Sequence, residues 1–164
     1  MKVIAWIAED TWPACVDAVR DHAARSAEVV LLHVSGTDAP GAAHGAYAGL
    51  LGRGHPERDP GMRIEEMAAA SAVQILQAAA EQLGMPCTQL QRTGRIEREV
   101  VAAATGAGLL IVARDGDRTR LGPKSLSPIS RFIVDHAPCP VLLFWPEPAP
   151  PAASIPPPPR PGRP

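Results

Sequence analysis

The residues with the strongest chemical potential in this 164-residue chain lie between Ala113 and Leu126, in the segment ARDGDRTRLGPKSL. An apolar run, Leu109 to Val112, precedes it, and a helix is predicted from Ser127. Gly116 and Gly122 allow close backbone approach, and a helix amino terminus offers free N–H groups to an anion. This chemistry is phosphate binding. Opposing features lie in the same segment. Pro128 has no N–H to give, although a proline in the first turn suits the fold and Ser127 before it is a good N-cap. Asp115 and Asp117 flank Gly116, and a carboxylate about 4 Å from a phosphate costs on the order of 1 to 4 kcal/mol, depending on screening. Arg114, Arg118, Arg120 and Lys124 outnumber the two acids and leave the loop two positive charges in excess.

No other catalytic constellation is visible. The chain has no GxSxG elbow, no GxxxxGK[ST] loop and no GxGxxG turn. Glu9 and Asp10 resemble the acidic pair of phospho-accepting receiver domains, but Arg92-Thr93-Gly94 supplies no acceptor aspartate at the end of the third strand. His44 and His55 share a long loop with Glu57 and Asp59, without the spacing of an established metal site. His33 lies within a buried strand and reads as a hydrogen-bonded core or rim histidine. Trp12 reads as packing against helices rather than as a lid. The expectation is a protein that does not turn over a substrate.

Composition narrows the class. A net charge of −1 gives no pull toward nucleic acid or anionic membranes. Cys15, Cys87 and Cys139 form no CxxC pair, so reduced thiols are expected. No secretory signal and no apolar run of about 20 residues is present, which predicts a soluble, cytoplasmic protein without a membrane anchor.

The elements that must position the loop follow from periodicity. Lys2–Ala8 and Glu28–Val34 are continuously apolar, as strands buried on both faces of a parallel sheet are. A helix capped by Asp10 or Thr11 begins near Pro13. Ser35–Gly61 has no clean period and predicts a functional or partly disordered loop, with a short helix over Ala42–Leu51. Met62–Leu83 predicts a helix with Ile64, Met67, Ala68, Ser71, Ile75, Leu76, Ala79 and Leu83 on its buried face, stopped by Gly84. Cys87–Thr93 is a polar strand expected at a sheet edge. Helices over Arg95–Thr105 and Ser127–His136, with strands Leu109–Val112 and Pro140–Phe144, complete a β-α-β-α-β-α-β-α-β order. That order predicts an α/β three-layer sandwich around a five-stranded parallel sheet. Ten of the last nineteen residues are proline, so residues 147–164 are expected to form a disordered tail after a domain ending at 146. Pro158, Pro161 and Arg163 make a PxxPxR spacing of the kind expected by chance in such a tail.

Over residues 2 to 145 the chain resembles the universal stress protein family. LLHV (Leu31–Val34), Gly94, GAGLLIV (Gly106–Val112) and HAPCPVLL (His136–Leu143) carry the resemblance. It implies the strand order 3-2-1-4-5 and an adenine-nucleotide site beside Ala8–Trp12. The nucleotide-binding pattern of that family is G-x2-G-x9-G-[ST]. Here Ala113 takes the first glycine position and Gly116 the second, while Ser127 and Pro128 take the closing pair with one extra residue in the spacer. Ala8 stands where an aspartate ends the first strand, with Glu9 next, and Val34 is retained near the adenine position. Arg118 and Ile129 complete the set of candidate ligand contacts. The resemblance implies a stress-response or regulatory protein with weak or no ATP binding, paired as a homodimer through Val141–Trp145 and acting on a regulatory protein partner. The alternative left open is an ATP- or AMP-binding member with slow or no hydrolysis.

Overall fold

The computed structural model describes residues 1–51 and 59–157; the spacing at Pro158, Pro161 and Arg163, and the histidine and acid at His55 and Glu57, lie outside the described residues. Five parallel strands form one sheet in the order 3-2-1-4-5: β1 (Lys2–Trp6), β2 (Glu28–Gly36), β3 (Thr88–Gly94), β4 (Leu109–Ala113) and β5 (Val141–Phe144). Helices α1 (Trp12–His22), α2 (Asp38–Leu51), α3 (Pro60–Leu83), α4 (Ile96–Ala103) and α5 (Pro128–His136) fill the crossovers.

Period-two alternation splits the core into two layers. Val3, Ala5, Val29, Leu31 and Ile111 pack against Cys15, Val16 and Val19 of α1 and Leu76, Ala79 and Leu83 of α3. Ile4, Trp6, Val30, Leu32, Leu110 and Val112 pack on the other face against Val100 of α4 and Ile133 of α5. The central strands are covered on both sides and are apolar at nearly every position. Polar β3 (TQLQRTG) takes an edge, as its composition predicts.

Three details differ from the sequence expectation. First, the region after Ser35 is not one long loop: α2 runs over Asp38–Leu51 and α3 starts at Pro60, capped by the Asp59 carboxylate, which accepts from Gly61 N at 2.8 Å. Second, α3 buries Ala72, Leu76, Ala79 and Leu83, while Ile64 and Met67 of the expected stripe are 37% and 72% exposed. The carboxyl half of α3 lies on the sheet; its amino half runs against α2, so one periodic stripe meets two environments. Third, β1 ends at Trp6, two residues early, where the chain turns into α1 through Thr11 N and Trp12 N bonds to Ala8 O.

Beyond β5 the proline-rich segment lies against the β4–α5 loop. Glu147 pairs with Arg118 at 3.5 Å, and Ser154 Oγ accepts from Leu121 N at 3.0 Å. Among the described residues, no helix is long and apolar enough to cross a membrane.

Candidate functional site

The β1–β4 pairing, with Val3 opposite Leu109, brings the carboxyl ends of both strands together. Such a junction, where crossovers leave in opposite directions, is the ligand crevice of open α/β sheets. The candidate residues converge there, but not on one cavity. Ala8, Glu9 and Val34 line a cavity of about 220 Å³ with Trp6, His33 and Ser35. Pro128 and Ile129 line a second, of about 290 Å³, with Gly36, Arg95 and Phe132. Gly116, Ser127 and Pro128 border a surface groove of about 850 Å³ along α5. The two smaller cavities meet at Gly36 and Ile96. Ala113 lies in the core at 3% exposure, and Arg118 faces Glu147.

The start of α5 is built as the sequence predicts. Ser127 is the N-cap, its Oγ accepting from Ser130 N at 3.1 Å, and Pro128 follows in the first turn. Asp115 was expected to repel a phosphate from a distance, but the structure gives it a more direct role. Its carboxylate accepts from Ser127 N at 2.9 Å and from Ser127 Oγ at 2.7 Å. An acceptor from the chain itself therefore uses the two Ser127 donors at the helix amino terminus, where an anion would otherwise be favoured.

The expected close approach at Gly116 is real, but its partner is the loop. Gly116 N donates to Ser125 O at 3.0 Å and Asp117 N to Lys124 O at 2.8 Å. A Cβ at Gly116 would strike Lys124 O and stand 2.8 Å from the Ser125 carbonyl carbon. Glycine is thus required by two backbone strands of one loop pressed together. The arginines are committed as well. Arg114 donates to Ser125 Oγ and stacks over Trp145 at 4.8 Å, and Arg120 pairs with Asp117 at 3.0 Å. The Thr119 hydroxyl and N–H, then Arg120, hold the Asp117 carboxyl below its usual range. Among the described residues only Lys124 of the four loop cations has no partner.

Two groups that sequence reasoning treated as background stand at the site. His33, 7% exposed, bonds through Nδ1 to Ile7 O at 2.8 Å, and Ser35 carries a buried hydroxyl without a partner among the described residues. Their signal was the LLHVSG run at the end of β2, where the side chains pass from core to crevice. Elsewhere, Cys15 is sealed under α1, and burial pushes its thiol up to about 12. Trp12 packs on the core layer, as the sequence suggests. His44 sits between Asp59 and Glu65, at 2.7 and 3.1 Å, and no cluster among the described residues has the form of a metal site.

Fold and site can now be set beside known proteins. The family model described as the universal stress protein family matches residues 8–144. The chain belongs to that family. Solved structures agree on the universal stress protein fold. One described as a universal stress protein in complex with cAMP is 14% identical with a TM-score of 0.58, covering 90% of this chain and 98% of its own. The universal stress protein UspA from Lactobacillus plantarum is 16% identical with a TM-score of 0.59, over 88% and 97%. A universal stress protein from Archaeoglobus fulgidus is 13% identical with a TM-score of 0.53, over 87% and 97%. No curated protein sequence matches the chain. Within this universal stress protein, the β4–α5 loop is closed on itself by its own contacts.

Proposed function

We propose that this universal stress protein is a cytoplasmic stress-response or regulatory protein that acts by binding, with weak or no affinity for ATP. The observation that carries the reading is the Asp115 carboxylate on both donors of Ser127. A triphosphate would have to displace a charged acceptor from two good hydrogen bonds, then separate Arg118 from Glu147 and Arg120 from Asp117. Each exchange trades one charge-assisted contact for another, so little net affinity remains. The candidate ligand contacts divide among three cavities, which also disfavours one tight nucleotide site.

A second reading has its own support: a relative of this fold is described in complex with cAMP, and Val34, Ala8 and Glu9 do line one cavity. In that reading ATP or AMP is held with slow or no hydrolysis. Titration of the purified chain with ATP and Mg²⁺ separates the two. The first predicts no binding below millimolar concentrations. Sub-millimolar affinity would establish the second.

The proposal includes a homodimer. β5 ends the sheet, and its residues Val141–Phe144 are all half-buried apolar side chains on an open edge. An unpaired apolar edge strand favours pairing with another chain, and a second copy supplies a strand of matching character. Sedimentation equilibrium with Leu142→Lys as the disrupting variant tests it. A regulatory protein would then be the downstream partner.

A further inference from the structure

We infer that residues 147–156 form an autoinhibitory strap, which holds the β4–α5 loop shut against anions and can be released. The inference rests on the reading above that ATP is held weakly or not at all. It adds how that weakness is regulated.

After β5 the chain passes over the β4–α5 loop, and the contacts between the two segments advance in step. Arg114 N donates to Phe144 O at 2.9 Å, and the Arg114 guanidinium lies 4.8 Å over the Trp145 ring. Four residues on, Arg118 pairs with Glu147 at 3.5 Å. Leu121 N donates to Ser154 Oγ at 3.0 Å, and Pro156 Cδ stands 3.8 Å from where a Cβ on Gly122 would lie. Residues 114 to 122 and 144 to 156 therefore run side by side. A short 3₁₀ turn, Ala152–Ser154, shapes the far end, where Ser154 Oγ also donates to Pro151 O at 2.7 Å. Pro148, Pro150 and Pro151 between the two latches fix φ and lower the entropy lost in laying the segment down.

The strap takes up groups that an anion would use. Glu147 gives Arg118 a carboxylate, the kind of partner a phosphate would be. Ser154 takes the Leu121 N–H. Trp145 covers Arg114, whose Nε is buried without a partner among the described residues. A buried guanidinium N–H left unbonded is rare, and here it lies under the start of the strap. The latches are weak one by one. Glu147 is 68% exposed and Arg118 34%, and ion pairs that open to solvent hold little. One N–H to hydroxyl bond and one cation–π contact add modestly. Such a strap opens at small cost, as a switch requires, and opening leaves Arg118 and the Leu121 N–H free beside Lys124.

The test uses full-length variants, calorimetric titration with inorganic phosphate and with ATP-Mg²⁺, and amide exchange at Leu121. Ser154→Ala removes the Leu121 acceptor without changing charge, and Glu147→Gln frees Arg118. Each is expected to speed Leu121 exchange at an unchanged melting temperature and to raise affinity for both probes about threefold to tenfold. Glu81→Gln, on α3, deletes a charge away from the loop and measures the gain that net charge alone produces. Unchanged affinities in Ser154→Ala overturn the inference, even if Leu121 exchange quickens, because the strap then shields nothing. A gain in Glu147→Gln no larger than in Glu81→Gln overturns it too. Both results leave the proposed function standing while the original chain binds no ATP below millimolar concentrations. Sub-millimolar ATP binding by the original chain removes both.

Discussion

Asp115 accepts two hydrogen bonds from Ser127, one from its backbone N–H and one from its hydroxyl. The pair joins the first residues of the β4–α5 loop to the start of α5, twelve positions later. Ser127 in turn caps the helix through Ser130 N. The Asp115 side chain therefore ties the loop to the residue that caps α5 and occupies two donors beside the helix start.

Replacing Asp115 should separate these roles. In Asp115→Ala the Ser127 N–H is freed and one negative charge is lost. Phosphate or ATP affinity is expected to rise about tenfold, equal to about 1.4 kcal/mol. Stability should fall by about 1 to 2 kcal/mol for the lost charge-assisted bonds. Urea denaturation and ATP titration of the same variant read both. A variant with unchanged nucleotide affinity would show that Asp115 does not hold the site closed.

Gly116 provides a test that needs no ligand. Its Cβ position is filled by the backbone of residues 124 to 126. Gly116→Ala should destabilise the protein by roughly 1 to 3 kcal/mol, the usual cost of forcing atoms into a packed contact. A glycine kept only to admit phosphate would tolerate alanine in the free protein. Equal urea midpoints for the two proteins would favour that role.

Leu76 and Met67 lie on one helical stripe in sequence and in different environments in the fold. Leu76 is 3% exposed and Met67 72%. Leu76→Ala should cost about 2 to 5 kcal/mol, whereas Met67→Ala should stay within about 0.5 kcal/mol. Comparable losses at both sites, measured by thermal or chemical unfolding, would mean that the amino half of α3 is also packed.

His44 couples the α2–α3 contact to pH. Hydrogen bonds to Asp59 and then Glu65 raise its pKa above the ordinary 6.5, and the bond from His44 holds Asp59 below 3.8. The raised histidine contributes stability that is complete below 6.5 and is lost as pH rises through its folded value. The lowered aspartate contributes stability present above 3.8 and lost as pH falls through its folded value. The contact should therefore be firmest between these limits and loosen as pH rises through the folded His44 value. NMR titration of the His44 ring, with amide exchange in α2 at pH 6 and pH 8.5, checks this. A midpoint at or below 6.5 would contradict it.

Much of this architecture was legible in the chain alone. Continuous apolar runs identified β1, β2 and β4 because a strand covered on both faces has no polar side. Polar Cys87–Thr93 marked an edge for the converse reason. Ser127-Pro128 announced α5 because capping and first-turn chemistry are local. The family resemblance rested on such local features and supplied the strand order. What tertiary structure alone decided is where long-range contacts override local pattern. The α3 stripe divides between the sheet and α2, which periodicity does not encode. Glycines, arginines and carboxylates in the β4–α5 loop could have served a ligand or one another. Only the folded loop shows that Asp115 reaches Ser127 and that Gly116 meets residues 124 to 126. Those contacts depend on the three-dimensional path between positions about ten residues apart, and residue type carries no record of it.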